Sequence, residues 1–176
     1  ALMNQWAEEF SAADFMPIFL PFLTASNVDP RARAAFIGLN ASHSRKHMLR
    51  AVYEGIAFSH RHHLEKLLDT RDGHPCRIRL AGGAARIFAD VMNCPVETVT
   101  ADETGALGCS VAVATALGDY PTPTKAAAAM CRLSAPIYPD PEAAKAYDKK
   151  YNLYQKAIQC LDDLWPDMQA YIEDGD

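Results

Sequence analysis

Residues 78–91, IRLAGGAARIFADV, constrain the fold of this chain more than any other stretch. Ile78 and Leu80 alternate with Arg77 and Arg79, the period-two pattern of a short strand, and two adjacent glycines follow at once. Beyond them Ile87, Phe88, Val91 and Met92 make one apolar stripe at helical spacing. Cys94-Pro95 closes it, and the β-branched run 96–100 supplies a second strand. Strand, glycine turn, helix and strand form a βαβ unit, which places the chain in the α/β class. The turn also carries chemistry. Glycine admits a close backbone approach, and a helix that opens directly after it presents bare N–H groups. Gly82, Gly83 and Ala84 are therefore a candidate cradle for a phosphate or the edge of a nucleotide. The same pattern also suits a tight turn that only packs strand on helix. It is neither a G-x-G-x-x-G fingerprint nor a G-x-x-x-x-G-K-[ST] loop.

Around this unit the sequence reads as mainly helical. Residues 2–10 space their apolar side chains as a helix does, and FMPIFLPFL at 15–23 reads as a buried extended segment leading into the polar turn TASNVDP. A long helix is expected from Ser44, with Met48, Leu49, Val52, Ile56, Leu64, Leu67 and Leu68 in register, ending at RDGHP. Residues 105–118 carry small side chains suited to a helix buried closely against a sheet or another helix, with Gly118 as its stop. An alanine-rich helix and the proline-rich connector SAPIYPDP follow. The last helix is expected from Glu142 to about Trp165, capped by Asp140, with Tyr147, Tyr151, Tyr154, Ile158 and Leu161 on one side.

At 176 residues, 49% of them hydrophobic, the chain can bury a core as one domain. A net charge of -5 provides no global positive field for nucleic acid or an anionic membrane, so any phosphate must be met locally. The longest charge-free apolar stretch, 16–25, is broken by Pro17 and Pro21 and is too short to span a bilayer. No signal-peptide pattern opens the chain, and a cytoplasmic location is the default expectation. Five cysteines without a C-x-x-C pair read as reduced thiols. His43, His47, His60, His62 and His63 have metal-like spacings. However, Arg45, Lys46, Arg61 and Lys66 lie between them, so a solvated basic helix face is the better reading and no metal ligand is assigned. Glu54, within VYEGIAF, is expected to be buried in a helix-packing hydrogen bond rather than to act as a general base. Asp90, Asp102 and Glu103 read as helix-dipole and capping carboxylates.

Two stretches in order carry a resemblance that neither has alone. AAFIGLNASHSRKHMLRAVYEGIAF, at 34–58, resembles the C-terminal signature of the FGGY carbohydrate kinases. RLAGGAAR, followed by FADVMNCPVETVTADETGALGCSVAVATALG, resembles their glycine-rich adenosine loop, ADV segment and E-x-GALG helix. The resemblance covers about residues 19–118 closely. It implies that residues 1–176 are an incomplete C-terminal, nucleotide-binding domain of the actin-like ATPase, ribonuclease H-like α/β fold, with the sugar-binding N-terminal lobe outside this chain.

The function implied is ATP-dependent phosphorylation of a sugar, with ATP and Mg²⁺ as cofactors and a ketopentose such as xylulose or L-xylulose favoured. By the same resemblance the backbone of Gly82, Gly83 and Ala84 lies on the ribose and α-phosphate side of the nucleotide. Gly38 borders the nucleotide, and Ser42 stands beside it. Ala84 replaces a glycine found in many members. The family's general base lies in the absent lobe, so no catalytic residue is assigned here and the chain alone is expected to be inactive. About six residues that the family carries after Arg86 are missing, through either a true deletion or a loop outside this sequence, and the adenine-side contact falls in that gap. The partners implied are ATP or ADP and a sugar, with no nucleic acid or membrane. Oligomeric state is open, a homodimer being the first form to test. The alternative is a non-catalytic α/β interaction module or kinase relic, packing its FLPFL and GALG faces on another chain.

Overall fold

The computed structural model describes residues 2–26, 29–70, 73, 75–101 and 103–174. Its elements are α1 (Leu2–Glu8), β1 (Ile18–Leu20), β2 (Ala35–Ile37), α2 (Arg45–Leu68), β3 (Ile78–Leu80), α3 (Ala85–Met92), β4 (Val96–Thr98), α4 (Thr104–Ala116), α5 (Pro123–Met130), α6 (Pro141–Leu161) and α7 (Leu164–Glu173). The expected βαβ unit is present: β3 and β4 are parallel, pairing Ile78 with Val96 and Leu80 with Thr98, and α3 connects them. β1 and β2 form a separate antiparallel pair with Phe19 opposite Phe36. β2 is a strand that the sequence pattern does not announce.

α2 is the element against which α1, β1, α3 and α6 are packed. Its start is set by Ser44, whose backbone N–H donates to His47 Nδ1 at 3.1 Å, so the polar ASHS stretch caps the helix as expected. Gly55 sits where the helix crosses β1, and a Cβ there would lie 2.3 Å from the Phe19 carbonyl oxygen. The missing side chain is what lets the strand reach the helix. On the neighbouring face Phe58 meets Tyr147, Tyr151 and Tyr154 of α6 at ring-centroid separations of 6.1, 5.9 and 5.6 Å. Leu20, Val91 and Val96 complete the buried centre.

Several expectations are corrected. The connector at 132–137 is not merely a link. It runs antiparallel to the free edge of β4, where Ile137 and Val96 exchange N–H···O bonds of 2.8 and 3.0 Å. The last helix ends at Leu161 rather than near Trp165, and α7 restarts at Leu164. An unbroken helix would need a Pro166 N–H that does not exist, whereas the first turn of a new helix does not require it. α4 is not buried: none of its residues is, and Val113 and Leu117 are 56% and 75% exposed. Helical spacing of small residues specifies a packing face but not a partner, and among the described elements α4 packs mainly on α5. FMPIFLPFL buries Met16, Phe19, Leu20 and Phe22, while Phe15 and Leu23 point outward. Asn27, Val28, Arg71, Asp72, His74 and Asp102, parts of the turns and cap named above, lie outside the described residues.

Candidate functional site

The glycine turn follows directly from the end of β3. Gly82 has φ +119°, a conformation that side chains strongly disfavour, and nothing stands within 4 Å of the position its Cβ would take. Gly83 is the reverse case, since a Cβ there would meet Asn4 Oδ1 at 2.9 Å. Ala84 is the residue before α3, in the left-handed region at φ +61°, and its carbonyl accepts the Phe88 N–H at 3.0 Å. A methyl group offers no oxygen to the first-turn amides of α3, so no N-cap side chain occupies those donors. The helix runs through the junction after Arg86 with no intervening loop.

Asn4 explains how the turn is held, and sequence reasoning missed it. It lies against Gly83 and accepts the Tyr53 hydroxyl of α2 at 2.9 Å. The same short helix α1 places Trp6 under Arg45 and Lys46, whose charged groups lie 5.1 and 5.5 Å from its ring. Lys46 is ion-paired to Glu9. α1 therefore lies between the glycine turn and the beginning of α2. The signal available in the sequence was only the adjacent amides Asn4 and Gln5 on a short amphipathic helix.

Gly38 and Ser42 occupy the other side of this arrangement. Gly38 follows β2 against Phe15, lining an apolar groove of about 460 Å³ with Lys150, Leu153 and Leu161. Ser42 is exposed, and its N–H and hydroxyl both donate to Asn40 Oδ1 at 2.9 and 2.6 Å. Ala84 instead lines a cleft of about 490 Å³ with Asn4, Glu8, Arg86, Asp90 and Glu142. Gly38 and Ala84 thus line different cavities, and Ser42 lies in an exposed turn.

The charges around the cleft are largely committed. Asp90 is not a dipole carboxylate of its own helix. It stands in the last turns of α3, buried, and accepts the Asp140 N–H at 2.8 Å, joining α3 to the start of α6. Burial raises its carboxyl above the usual range, against the lowering effect of that amide and of Arg86. Asp140 in turn accepts the Glu142 N–H at 2.8 Å, the cap expected of it. Glu103 stands before α4 but makes no side-chain cap bond. Arg50 donates to Glu54 at 2.8 Å, and also to the Ala7 carbonyl and the Tyr147 hydroxyl. Glu54 accepts Lys150 Nζ at 3.1 Å, so it is the buried, paired residue expected. The histidines do not share one solvated face. His43 and His47 lie against Phe15 and Phe10, His60 lies against Phe88, and His62 and His63 border a cavity between α2 and the end of α6. Among the described residues no group of three or more His, Cys, Asp or Glu is placed to hold a metal ion.

The model of the FGGY family of carbohydrate kinases, C-terminal domain, matches residues 2–117. The chain is 35% identical over 166 residues to the L-xylulose/3-keto-L-gulonate kinase of Escherichia coli (strain K12), covering 90% of this chain and 33% of that protein. It is 29% identical over 167 residues to the probable L-xylulose kinase of Pasteurella multocida (strain Pm70), covering 92% and 33%. The crystal structure of xylulose kinase from Rhodospirillum rubrum superposes with a TM-score of 0.75 at 29% identity, covering 93% of this chain and 34% of that one. The chain spans about a third of the length of the relatives it matches.

Proposed function

The chain belongs to the FGGY family of carbohydrate kinases, within their actin-like α/β fold, and on that premise we propose that it supplies the nucleotide side of an ATP-dependent sugar kinase. The observation that carries this reading is the turn at Gly82, Gly83 and Ala84, with open space over Gly82 and the donor end of α3 beside it. Backbone donors bind phosphate without adding net charge, which suits a chain of charge -5. The cleft below is acidic, since Glu8, Asp90 and Glu142 outnumber Arg86, and Arg50 is taken by Glu54. It therefore repels phosphate and fits the neutral ribose and base, leaving the phosphates at the turn. Gly38 and Ser42 border the nucleotide from the β2 side in this proposal. Mg²⁺ enters with the nucleotide phosphates to neutralise charge developing on the transferred group, and no residue of this chain is assigned to it. A ketopentose, xylulose or L-xylulose, is the proposed acceptor in the whole enzyme, and the general base is supplied from outside this chain.

The test is a thermal titration with ADP and with ATP–Mg²⁺. A live site gives roughly 2.7 kcal/mol of stabilisation at a hundredfold excess over Kd. Gly82→Val, which forces a β-branched side chain into the left-handed region and the open space, is expected to remove that response. A coupled ADP-release assay across pentuloses is expected to give no turnover with these 176 residues alone. The unburied face of α4 favours a second reading, a non-catalytic module docking on another chain. That reading predicts no nucleotide response at all.

A further inference from the structure

Cys76 and Cys94 lie just before the two strands of the parallel unit, each two residues ahead of its first residue. The register pairs Ile78 with Val96, so the two cysteines are equally far from the first paired residues. The strands are still in contact there. The Ile78 N–H donates to the Pro95 carbonyl at 2.9 Å, and Cys94 Sγ lies 3.4 Å from the Pro75 carbonyl oxygen. That carbonyl belongs to the peptide bond of Cys76, and its oxygen is about 2.8 Å from the next Cα, so Cys94 Sγ sits within about 6 Å of Cys76 Cα. The Cα atoms of a disulfide stand about 4.4–6.8 Å apart, so a sulfur already that near the Cys76 backbone is within bridging reach after a side-chain rotation. The two thiols also differ usefully in access. Cys76 is exposed, while Cys94 is buried, and burial first, then the neighbouring Cys76, pushes its thiol up.

We propose that Cys76 and Cys94 are a dithiol modification site that reacts with small-molecule disulfides of the glutathione class and closes to an intramolecular bond at the mouth of the βαβ unit. The exposed Cys76 thiolate attacks one sulfur of the disulfide RSSR, forming the mixed disulfide and releasing RS⁻. Cys94 then leaves the Pro75 carbonyl, ionises and attacks the Cys76 sulfur, expelling the second RS⁻. The protein loses two electrons and two protons, and RSSR becomes two RSH. Burial makes the second step the slow one. The bond closes a loop holding β3, the glycine turn and α3, independently of any nucleotide.

The experiment treats the whole chain with oxidised glutathione, alkylates the remaining thiols and maps peptides by mass spectrometry. The expected product is about 2 Da lighter before alkylation, with a peptide linking Cys76 to Cys94 and with Cys109, Cys131 and Cys160 alkylated. Its thermal midpoint should rise by roughly 5–10 °C on oxidation, reversed by dithiothreitol. Cys76→Ser, at an exposed position, should abolish both the link and the shift. The proposal is overturned if Cys76 persists as a glutathione adduct while Cys94 stays alkylatable on unfolding, or if Cys94 links to another cysteine. It is equally overturned if the thermal shift survives in Cys76→Ser.

Discussion

Replacing Glu54 by glutamine tests whether charge or shape holds α2 to α6. Glu54 is 2% exposed and serves two cations at once: Arg50 Nε at 2.8 Å and Lys150 Nζ at 3.1 Å, with the Tyr147 hydroxyl donating at 3.3 Å. The substitution keeps the volume and leaves one amide oxygen for Arg50, but two buried cations lose their only shared counter-charge. Breaking a buried pair from one side costs about 3–5 kcal/mol, and the slight exposure of Lys150 places the expectation near the lower end, about 3 kcal/mol. Lys150 supports the direction. Burial pulls its pKa down while Glu54 pushes it back up, so loss of Glu54 removes the main opposition to burial. Urea unfolding followed by circular dichroism should show the midpoint falling by roughly 1–2 M at unchanged slope. The triple substitution Arg50→Met, Glu54→Leu, Lys150→Met removes every charge together and should recover most of the loss. A Glu54→Gln protein within about 1 kcal/mol of the parent, or a triple variant no better than it, would refute the electrostatic account.

Gly55→Ala places a Cβ 2.3 Å from a backbone oxygen of β1, which cannot rotate away, so a loss of about 3 kcal/mol or more is expected in the same urea assay. Ala84→Gly relieves a left-handed alanine and should stabilise by roughly 0.5–1 kcal/mol, with nucleotide response retained. Burial raises the phenols of Tyr147, Tyr151 and Tyr154, the last to about 12. A raised folded pKa gives stability that is complete below the unfolded value near 10 and is lost as pH climbs toward the folded one. Lys150, with its lowered pKa, acts the opposite way only up to about 10.5. Stability should therefore fall above pH 10, and tyrosinate absorbance at 295 nm should grow in together with unfolding. All seven tyrosines titrating near pH 10 with the helical signal intact would contradict this.

The parts of the fold legible in the sequence were those whose signal is local and repeated. The βαβ unit announced itself through two periodicities joined by adjacent glycines, and α2 through a rhythm kept over 24 residues. β2 was not legible because Ala35–Ile37 holds no polar residue to alternate with its apolar ones, and its pairing with β1 is a long-range fact. The break before α7 could be read from Pro166, but the tyrosine face running to Leu161 masked it. α4 failed in the opposite way. Its composition is that of a packed helix, and burial depends on whether a neighbour is present.

The site divides along the same line. Gly82 and Gly83 were legible because a backbone requirement leaves a residue-type signature, and each glycine turns out to be required for a different reason: φ at one, Asn4 at the other. Asn4 was not legible, since a single asparagine on a short helix has no pattern to stand out from. Yet it is the side chain that couples the turn to Tyr53 of α2. Gly38 and Ser42 reach the proposed nucleotide only if the apolar groove beside Gly38 and the acidic cleft beside Ala84 act together across α1. Asn4→Ala, which frees Gly83 without touching the backbone of the turn, therefore separates the two possibilities. If α1 transmits position between the halves, ADP stabilisation weakens while Gly82 remains intact. If the turn binds alone, the ADP response is unchanged and only the loss of the Tyr53 hydrogen bond, about 1 kcal/mol, appears in the unfolding curve.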